Sequence, residues 1–195
     1  MSERRRVPVD PAHERSKLTF GADAFRDIVA VASGAVPADC DCPRLDRDEW
    51  HEVESDWTGI TFVKTGMNAV VGVPVGYAGA KDQLIRKAAR AGASIPDDPM
   101  VLLGEGTMRR PVMLEIEDVP PGATGIERPG GVAFTRLVPA PLGRMKHAVV
   151  ETKEVAKQRY GREPDAIWIW YLTCRVCSSP REFETLILAH YREAK

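Results

Sequence analysis

Hydrophobic and polar positions form regular blocks from about residue 57 onward, and each block predicts one strand or helix. The densest block is rich in apolar, aromatic and β-branched residues, and it predicts a buried strand at Ile167–Thr173. Because side chains alternate across a strand, Trp168 and Trp170 share one face, and Ile169 and Tyr171 share the other. One aromatic face can close a core, while the other meets a second layer or a cavity.

The other blocks follow a repeated order of strand, helix, strand and strand. Apolar residues at helical spacing predict helices at Ala78–Gly92 and Leu142–Tyr160. Short apolar runs predict strands at Ile60–Val63, Asn68–Val75, Met100–Leu103, Val112–Glu117, Gly131–Val138 and Phe183–Ala189. Laying one half on the other places Val112–Glu117 against Phe183–Leu188, and the shared order of elements indicates a duplication.

This order predicts an α+β fold. Duplicated strand–helix–strand–strand units would form one antiparallel sheet, with two helices on one face and a pocket between the halves. Residues 57–195 would form this domain, and residues 1–56 would form an N-terminal extension. Within the extension we expect helical segments at Phe20–Ala35 and Arg47–Ser55, and a polar, disordered stretch over residues 1–17.

The composition narrows the classes of partner. The chain has 195 residues, of which 44% are hydrophobic and 28% charged, with a net charge of -1, which is typical of a globular protein. This charge balance does not favour direct nucleic-acid binding. Since no apolar stretch approaches about 18 residues and no apolar run follows the N-terminal arginines, we expect neither a membrane span nor a secretory signal. The expected compartment is the cytoplasm.

Four cysteines form two close pairs, one with the spacing CxC and one with the spacing CxxC. They are Cys40, Cys42, Cys174 and Cys177. Four thiolates in this pattern can form a tetrahedral zinc site, which would join the extension to the end of the central strand. The alternatives are a redox-active CxxC pair, for which no helix N-terminus is evident, and four unrelated cysteines.

Aromatic residues on the closing strands have two interpretations. Five of them could form a wall that stacks on a flat ligand, or they could fill a sheet core. They are Trp168, Trp170, Tyr171, Phe183 and Tyr191. Acid–base candidates are sparse, because the lone His147 and His190 are typical of structural or surface positions and no nucleophile or nucleotide-binding motif occurs. The catalytic residues, if there are any, are therefore unknown from the sequence.

Three segments resemble the GyrI-like small-molecule-binding family, which includes gyrase-inhibitor proteins and the effector domains of multidrug-sensing regulators. Val75–Gly79, which contains Tyr77, resembles the family's Gly-Pro-Tyr turn. Trp170–Thr173 resembles its Tyr-Leu-Thr-Asp strand end, and Pro180–Thr185 resembles its last acidic segment. The resemblance covers about residues 57–191. It implies a duplicated α+β domain with an aromatic pocket, and in some members hydrolysis of cyclopropane-bearing toxins.

The chain departs from that family at two carboxylates. Ile169 and Leu186 stand where the family commonly has glutamates, which argues against a strongly cationic ligand and weakens the hydrolase interpretation. Other glutamates could supply the charge, or they could be ordinary exposed strand carboxylates. These are Glu105, Glu115, Glu117 and Glu184.

The sequence thus predicts a stand-alone protein that senses or sequesters a hydrophobic, planar aromatic compound by stacking and burial. The expected ligand-binding residues are Tyr77, Trp168, Trp170, Tyr171 and Phe183. One alternative is a hydrolase of strained electrophiles, in which a glutamate activates water and Tyr171 or Tyr77 donates a proton. Another is a gyrase-inhibitor-like module that binds a protein partner through an exposed surface.

Overall fold

A computed structural model describes residues 40–70, 73–141 and 143–192. The helix predicted at Phe20–Ala35 and the stretch 1–17 lie outside these residues. The fold is α+β, as the sequence predicts. Within the described ranges, no helix has the length and apolar character needed to cross a membrane.

Three helices and nine strands make up the described part of the chain. In chain order they are α1 (Arg47–Trp50), β1 (Val53–Asp56), β2 (Thr61–Val70), β3 (Val73–Pro74), α2 (Tyr77–Arg90), β4 (Val101–Gly104), β5 (Arg109–Ile116), β6 (Ile126–Glu127), β7 (Val132–Pro139), α3 (Met145–Tyr160), β8 (Ala166–Tyr171) and β9 (Glu184–Tyr191). Their main path across the sheet is β1-β7-β9-β8-β4-β5-β2-β3, with β6 paired to β2. These neighbouring strands run antiparallel.

The sheet consists of two halves with the same internal order. The first half is β2, α2, β4 and β5, and the second is β7, α3, β8 and β9. In each half the last strand lies between the other two, which gives β2-β5-β4 and β7-β9-β8. The halves join where β4 pairs with β8, with Leu103 opposite Ile169. The predicted pair of strand–helix–strand–strand units is confirmed.

Both long helices pack on one face of the sheet, here called the helix face. On α2, Ala80, Leu84 and Ala88 are spaced four residues apart and therefore form one buried stripe. This stripe packs in a core that includes Leu103, while α3 packs in a core that includes Ile169. Since Leu103 and Ile169 lie opposite each other, the two helices cover the same face, as predicted.

The opposite face, here called the tryptophan face, is a packed core. Trp168 and Trp170 lie in it with relative exposures of 8% and 6%. Residues from the N-terminal part of the chain pack against them, namely Leu45, Trp50 and Trp57. All four tryptophans of the chain therefore belong to this face.

The helix predicted at Arg47–Ser55 is wrong in its second half. The helix ends at Trp50, and Glu52 then adopts a left-handed backbone with a φ of 60°. The chain continues as β1, in which Val53 lies opposite Thr135 of β7. Pairing with a distant strand overrides the local helical pattern. This strand lies ahead of residue 57, where the sequence suggested that the domain begins.

The two strands predicted at Ile60–Val63 and Asn68–Val75 are replaced by one long strand, β2, and the short β3. Polar residues at Lys64–Gly66 interrupt the apolar pattern, but their backbone stays in the ladder with β5. Register with β5 runs without a break from Thr61 to Asn68, so the ladder sets the length of the strand.

Candidate functional site

The four cysteines meet in one cluster, although their two pairs lie far apart in sequence. Their Sγ atoms all lie within 4.8 Å of one another. The Sγ of Cys174 is 3.8 Å from that of Cys40 and 3.7 Å from that of Cys177. None of the four forms a disulfide. The four thiols could therefore bind a metal ion together, as the spacing of the two pairs suggests.

Two irregular segments bring the cysteines together. Cys40 and Cys42 lie ahead of α1, and the CxxC pair lies in the turns between β8 and β9. Arg181 bridges the segments, since its Nη2 donates to the carbonyl of Pro43 at 2.8 Å and its Nη1 donates to that of Leu172 at 3.0 Å. Neither segment could hold this arrangement through local structure alone.

The protonation of the thiols differs across the cluster. Burial raises the pKa of Cys40 to about 11, and burial together with a hydrogen bond to Cys40 raises the pKa of Cys42. Burial also acts to raise the pKa of Cys174, but hydrogen bonds from the backbone N–H groups of Cys177 and Val176 outweigh it, and the net shift is downward. Cys174, the exposed member, is thus more readily ionised than Cys40 or Cys42.

A surface cleft of about 360 Å³ lies beside Arg181, the residue that bridges the two cysteine segments. Its lining residues are Arg44, Leu45, Pro180, Arg181, Glu182 and Glu184. Arg181 and Glu184 form an ion pair, so the lining of the cleft contains a positive and a negative group. The backbone beside it is strained, because Glu182 and Phe183 have φ values of 50° and 56°.

The five predicted ligand-binding residues do not lie on one face of the sheet. Trp168 and Trp170 lie together on the tryptophan face, where the ring of Trp50 meets that of Trp170 edge-on at 6.1 Å. Tyr171 lies on the helix face. Tyr77 begins α2 and is 44% exposed, and Phe183 precedes β9 and is 40% exposed. The ligand-binding role of each remains a prediction.

Tyr171 lies at the seam between the two halves on the helix face, where it packs against the cores of both α2 and α3. Arg110 donates a hydrogen bond to its hydroxyl. Arg110 is 7% exposed, and its Nε also donates to the carbonyl of Gly104 at 2.7 Å. Burial raises the pKa of Tyr171, although Arg110 acts to lower it, so the phenol stays protonated at neutral pH.

Sequence reasoning missed Arg110, although a signal was present. Arg110 alternates with Val112 and Leu114, so it occupies the buried face of its strand. A charged residue at such a position is unusual and indicates a specific partner.

Glu105 adds a carboxylate on the same side of the sheet. It directly follows β4, and its carboxylate oxygens lie 2.9 and 3.0 Å from Nζ of Lys153. Since Lys153 belongs to α3, this ion pair places Glu105 over the helix face. Of the other candidate glutamates, Glu115 accepts a hydrogen bond from the backbone N–H of Met100, and Glu184 pairs with Arg181.

His190 has structural partners. It is 2% exposed, and its Nε2 lies 2.7 Å from the carbonyl of Gly130, to which it donates. Its ring lies 4.7 Å from that of Trp57. This histidine thus supports the tryptophan face, as expected for a lone buried histidine.

Comparison with protein families adds one finding to this geometry. A family model described as bacterial hydrolase matches residues 32–186. The chain belongs to this bacterial hydrolase family. The matched region begins well before residue 57 and includes all four cysteines. The family that this model describes is not the GyrI-like family. The resemblance to the GyrI-like family therefore remains a prediction.

A search of curated proteins finds no match to the chain. The description of the family names neither a substrate nor a catalytic residue.

Proposed function

We propose that this protein is a hydrolase and that its reaction takes place on the helix face, at the seam between the two halves. The observation that carries the proposal is the match to the bacterial hydrolase family, which spans 155 of the 195 residues. The helix face adds support because a tyrosine beside a buried arginine and a carboxylate paired with a lysine lie on either side of the Leu103–Ile169 pair.

Tyr171 would act as the proton donor. Its raised pKa keeps the phenol protonated at neutral pH, so a proton is available for the leaving atom. The Arg110 guanidinium would stabilise the phenolate that forms when this proton leaves. Because Arg110 is buried and bonded to the carbonyl of Gly104, its position is fixed before the substrate binds.

Glu105 would act as the general base. Its carboxylate accepts a proton from water, and the water oxygen bonds to the electrophilic carbon of the substrate. The electron pair of the bond that breaks goes to the leaving atom, which takes the proton of Tyr171. The proton held by Glu105 then returns to Tyr171 through solvent, so one water is consumed and the protein is regenerated.

The surroundings of the seam favour a small, apolar electrophile. Leu103 and Ile169 pair across the junction of β4 and β8, and the charged groups flank them. Strained cyclopropane-type substrates, which the GyrI-like resemblance implies, are a narrower proposal of the same kind.

Binding without turnover has less support from the geometry. The burial of Trp168 and Trp170 leaves little surface on which a planar aromatic compound could stack. Tyr77 and Phe183 are more exposed, but they lie on separate elements. A gyrase-inhibitor-like interaction with a protein partner remains a prediction.

Hydrolysis by the purified chain tests the proposal. Nitrophenyl esters and styrene oxide are suitable probes, with release of nitrophenolate and formation of the diol as the readouts. We expect turnover by the natural sequence, and a fall in kcat/KM of about 100-fold or more for Tyr171→Phe and for Glu105→Gln.

Two matched variants serve as controls. Tyr191→Phe removes a hydroxyl that donates to the carbonyl of Arg162, and Glu163→Gln removes an exposed ion pair with Lys157 of α3. Both should keep normal rates. Turnover that survives both seam substitutions would contradict this choice of site, and the absence of turnover with every probe would contradict hydrolysis of these substrate classes.

A further inference from the structure

We propose that the four cysteines bind one structural zinc ion, which clips the N-terminal segment at residues 40–45 to the connection between β8 and β9. The clip holds Leu45 and Trp50 against the tryptophan face. This inference is independent of the hydrolase proposal, since it concerns how the chain is held together.

The distances between the sulfurs fit a tetrahedral metal site. Metal–sulfur bonds of about 2.3 Å give a tetrahedron with sulfur–sulfur edges of about 3.8 Å. The distance between Cys40 and Cys174 is 3.8 Å, and that between Cys174 and Cys177 is 3.7 Å. Because all four sulfurs lie within 4.8 Å of one another, one ion could contact them all with only small movements.

The donor set selects zinc and a structural role. Four thiolates favour zinc or iron, and hard cations such as magnesium prefer oxygen. Catalytic zinc sites keep a coordination position for water, whereas four cysteines fill all four positions. The site would therefore stabilise the fold without taking part in the reaction.

Backbone N–H groups are already directed at the sulfurs. The N–H of Cys174 points to the Sγ atoms of Cys42 and Cys177, at 3.1 and 3.3 Å. The N–H groups of Val176 and Cys177 interact with the Sγ of Cys174, and that of Cys42 interacts with Cys40. Such bonds disperse the negative charge of metal-bound thiolates and fix their orientation.

Arg181 offsets the charge of the centre. Zinc with four thiolates has a net charge of about -2, which is costly to hold in a partly buried site. Arg181 interacts electrostatically with the Cys177 sulfur and donates hydrogen bonds to the carbonyls of Pro43 and Leu172. One guanidinium thus connects both cysteine segments and supplies positive charge beside the metal position.

The cluster contains cysteines from two distant segments, which favours a metal site over a redox function. A redox CxxC pair needs only its own two thiols, whereas here the CxC pair from more than 130 residues earlier completes the cluster. Binding of the metal would close this long loop, so its binding free energy would appear as folding free energy of the N-terminal segment.

Metal analysis of the natural chain tests the proposal. The untagged protein, purified under reducing conditions without chelators, should contain about one zinc ion per chain, as measured by inductively coupled plasma mass spectrometry. Cys40→Ser and Cys174→Ser should each reduce the zinc content at least tenfold. Ser179→Ala, in the same connection but with an exposed side chain outside the cluster, should keep it.

A second measurement avoids the risk that a cysteine variant fails to fold. The natural chain is stripped with a chelator and titrated with cobalt, whose ligand-field and thiolate charge-transfer bands report tetrahedral coordination by sulfur. We expect saturation at one cobalt per chain, and displacement of the bands by zinc.

Three results would overturn the proposal. The first is a zinc-free protein that gives no cobalt–thiolate bands. The second is iron in place of zinc. The third is a Cys174–Cys177 disulfide in the protein purified without reductant, together with reversible reduction and no metal, which would assign the pair to redox chemistry instead.

Discussion

At the scale of single residues, His190 links the packing of the tryptophan face to pH. Its ring is buried beside Trp57 and donates to the carbonyl of Gly130. Burial lowers the pKa of His190 from its ordinary value of 6.5, even though the hydrogen bond to Gly130 and the charge of Asp165 act in the opposite direction. The neutral form is therefore the one that the fold accommodates.

This lowered pKa predicts a loss of stability in weak acid. Below about pH 6.5 the unfolded chain binds a proton at His190 before the folded chain does, so the free energy of unfolding falls as the pH falls. Urea unfolding from about pH 7.5 down to pH 5 should show this slope, and His190→Gln, which keeps an N–H donor, should reduce it.

Titration of the Asp165 carboxyl does not contribute to the pH dependence of stability between about pH 7.5 and pH 5. Its pKa is lowered below 3.8, chiefly by a hydrogen bond from the backbone N–H of Arg192, so its contribution is lost only in stronger acid. An equal slope in the natural chain and in His190→Gln would show that another group accounts for the dependence on pH.

Only some side chains of the candidate sites could be identified from the sequence. The cysteines were identified because their CxC and CxxC spacings are local, and the structure brings the two pairs together as proposed. Arg110 was missed although its alternation with Val112 and Leu114 indicated a buried position, and the sequence could not show that its partner is Tyr171 of another strand. The division of Trp168 and Tyr171 between two faces followed directly from strand alternation.

At the scale of elements, the segment that contains α1 and β1 is attached to β7 by specific hydrogen bonds. The hydroxyl of Thr135 lies 2.8 Å from the carbonyl of Trp50 and 3.0 Å from that of Val53. Thr135 is 1% exposed, so these carbonyls have little access to water. One buried hydroxyl therefore fixes the end of α1 and the start of β1.

Replacing Thr135 with valine should weaken this attachment. The shape is nearly unchanged, but the carbonyls of Trp50 and Val53 lose the one hydroxyl proton that they share, and we expect the free energy of unfolding to fall by about 1–3 kcal/mol. Thr65→Val is the matched control, because its hydroxyl bonds to the exposed side chain of Gln83 and its loss should change stability by less than about 0.5 kcal/mol. Equal effects in chemical denaturation would contradict the attachment.

The elements that sequence predicted well are those with local patterns. The stripe of Ala80, Leu84 and Ala88 identifies α2, and the apolar run at Ile167–Trp170 identifies β8. The β1 strand was mistaken for helix because its conformation depends on β7, about 80 residues away in the chain. The covering of the tryptophan face by this segment could not be predicted for the same reason.

At the scale of the whole molecule, the two faces of the sheet have different roles in this account. The helix face carries Tyr171, Arg110 and Glu105, which we propose as the polar groups of a hydrolytic site. The tryptophan face is closed by the segment that carries Cys40 and Cys42. The match to the bacterial hydrolase family, over residues 32–186, includes residues of both parts.

The most direct test of this arrangement is acrylamide quenching of tryptophan fluorescence. All four tryptophans lie on one face, so their emission reports that face and no other. In the untreated protein we expect blue-shifted emission and weak quenching, and after removal of metal with a chelator we expect quenching to rise as the N-terminal segment is released.

The Ser179→Ala variant should quench like the natural chain, and Cys174→Ser should quench like the chelated chain. Strong quenching in the untreated, folded protein would contradict the account, because it would show an accessible aromatic surface where the structure has a closed core.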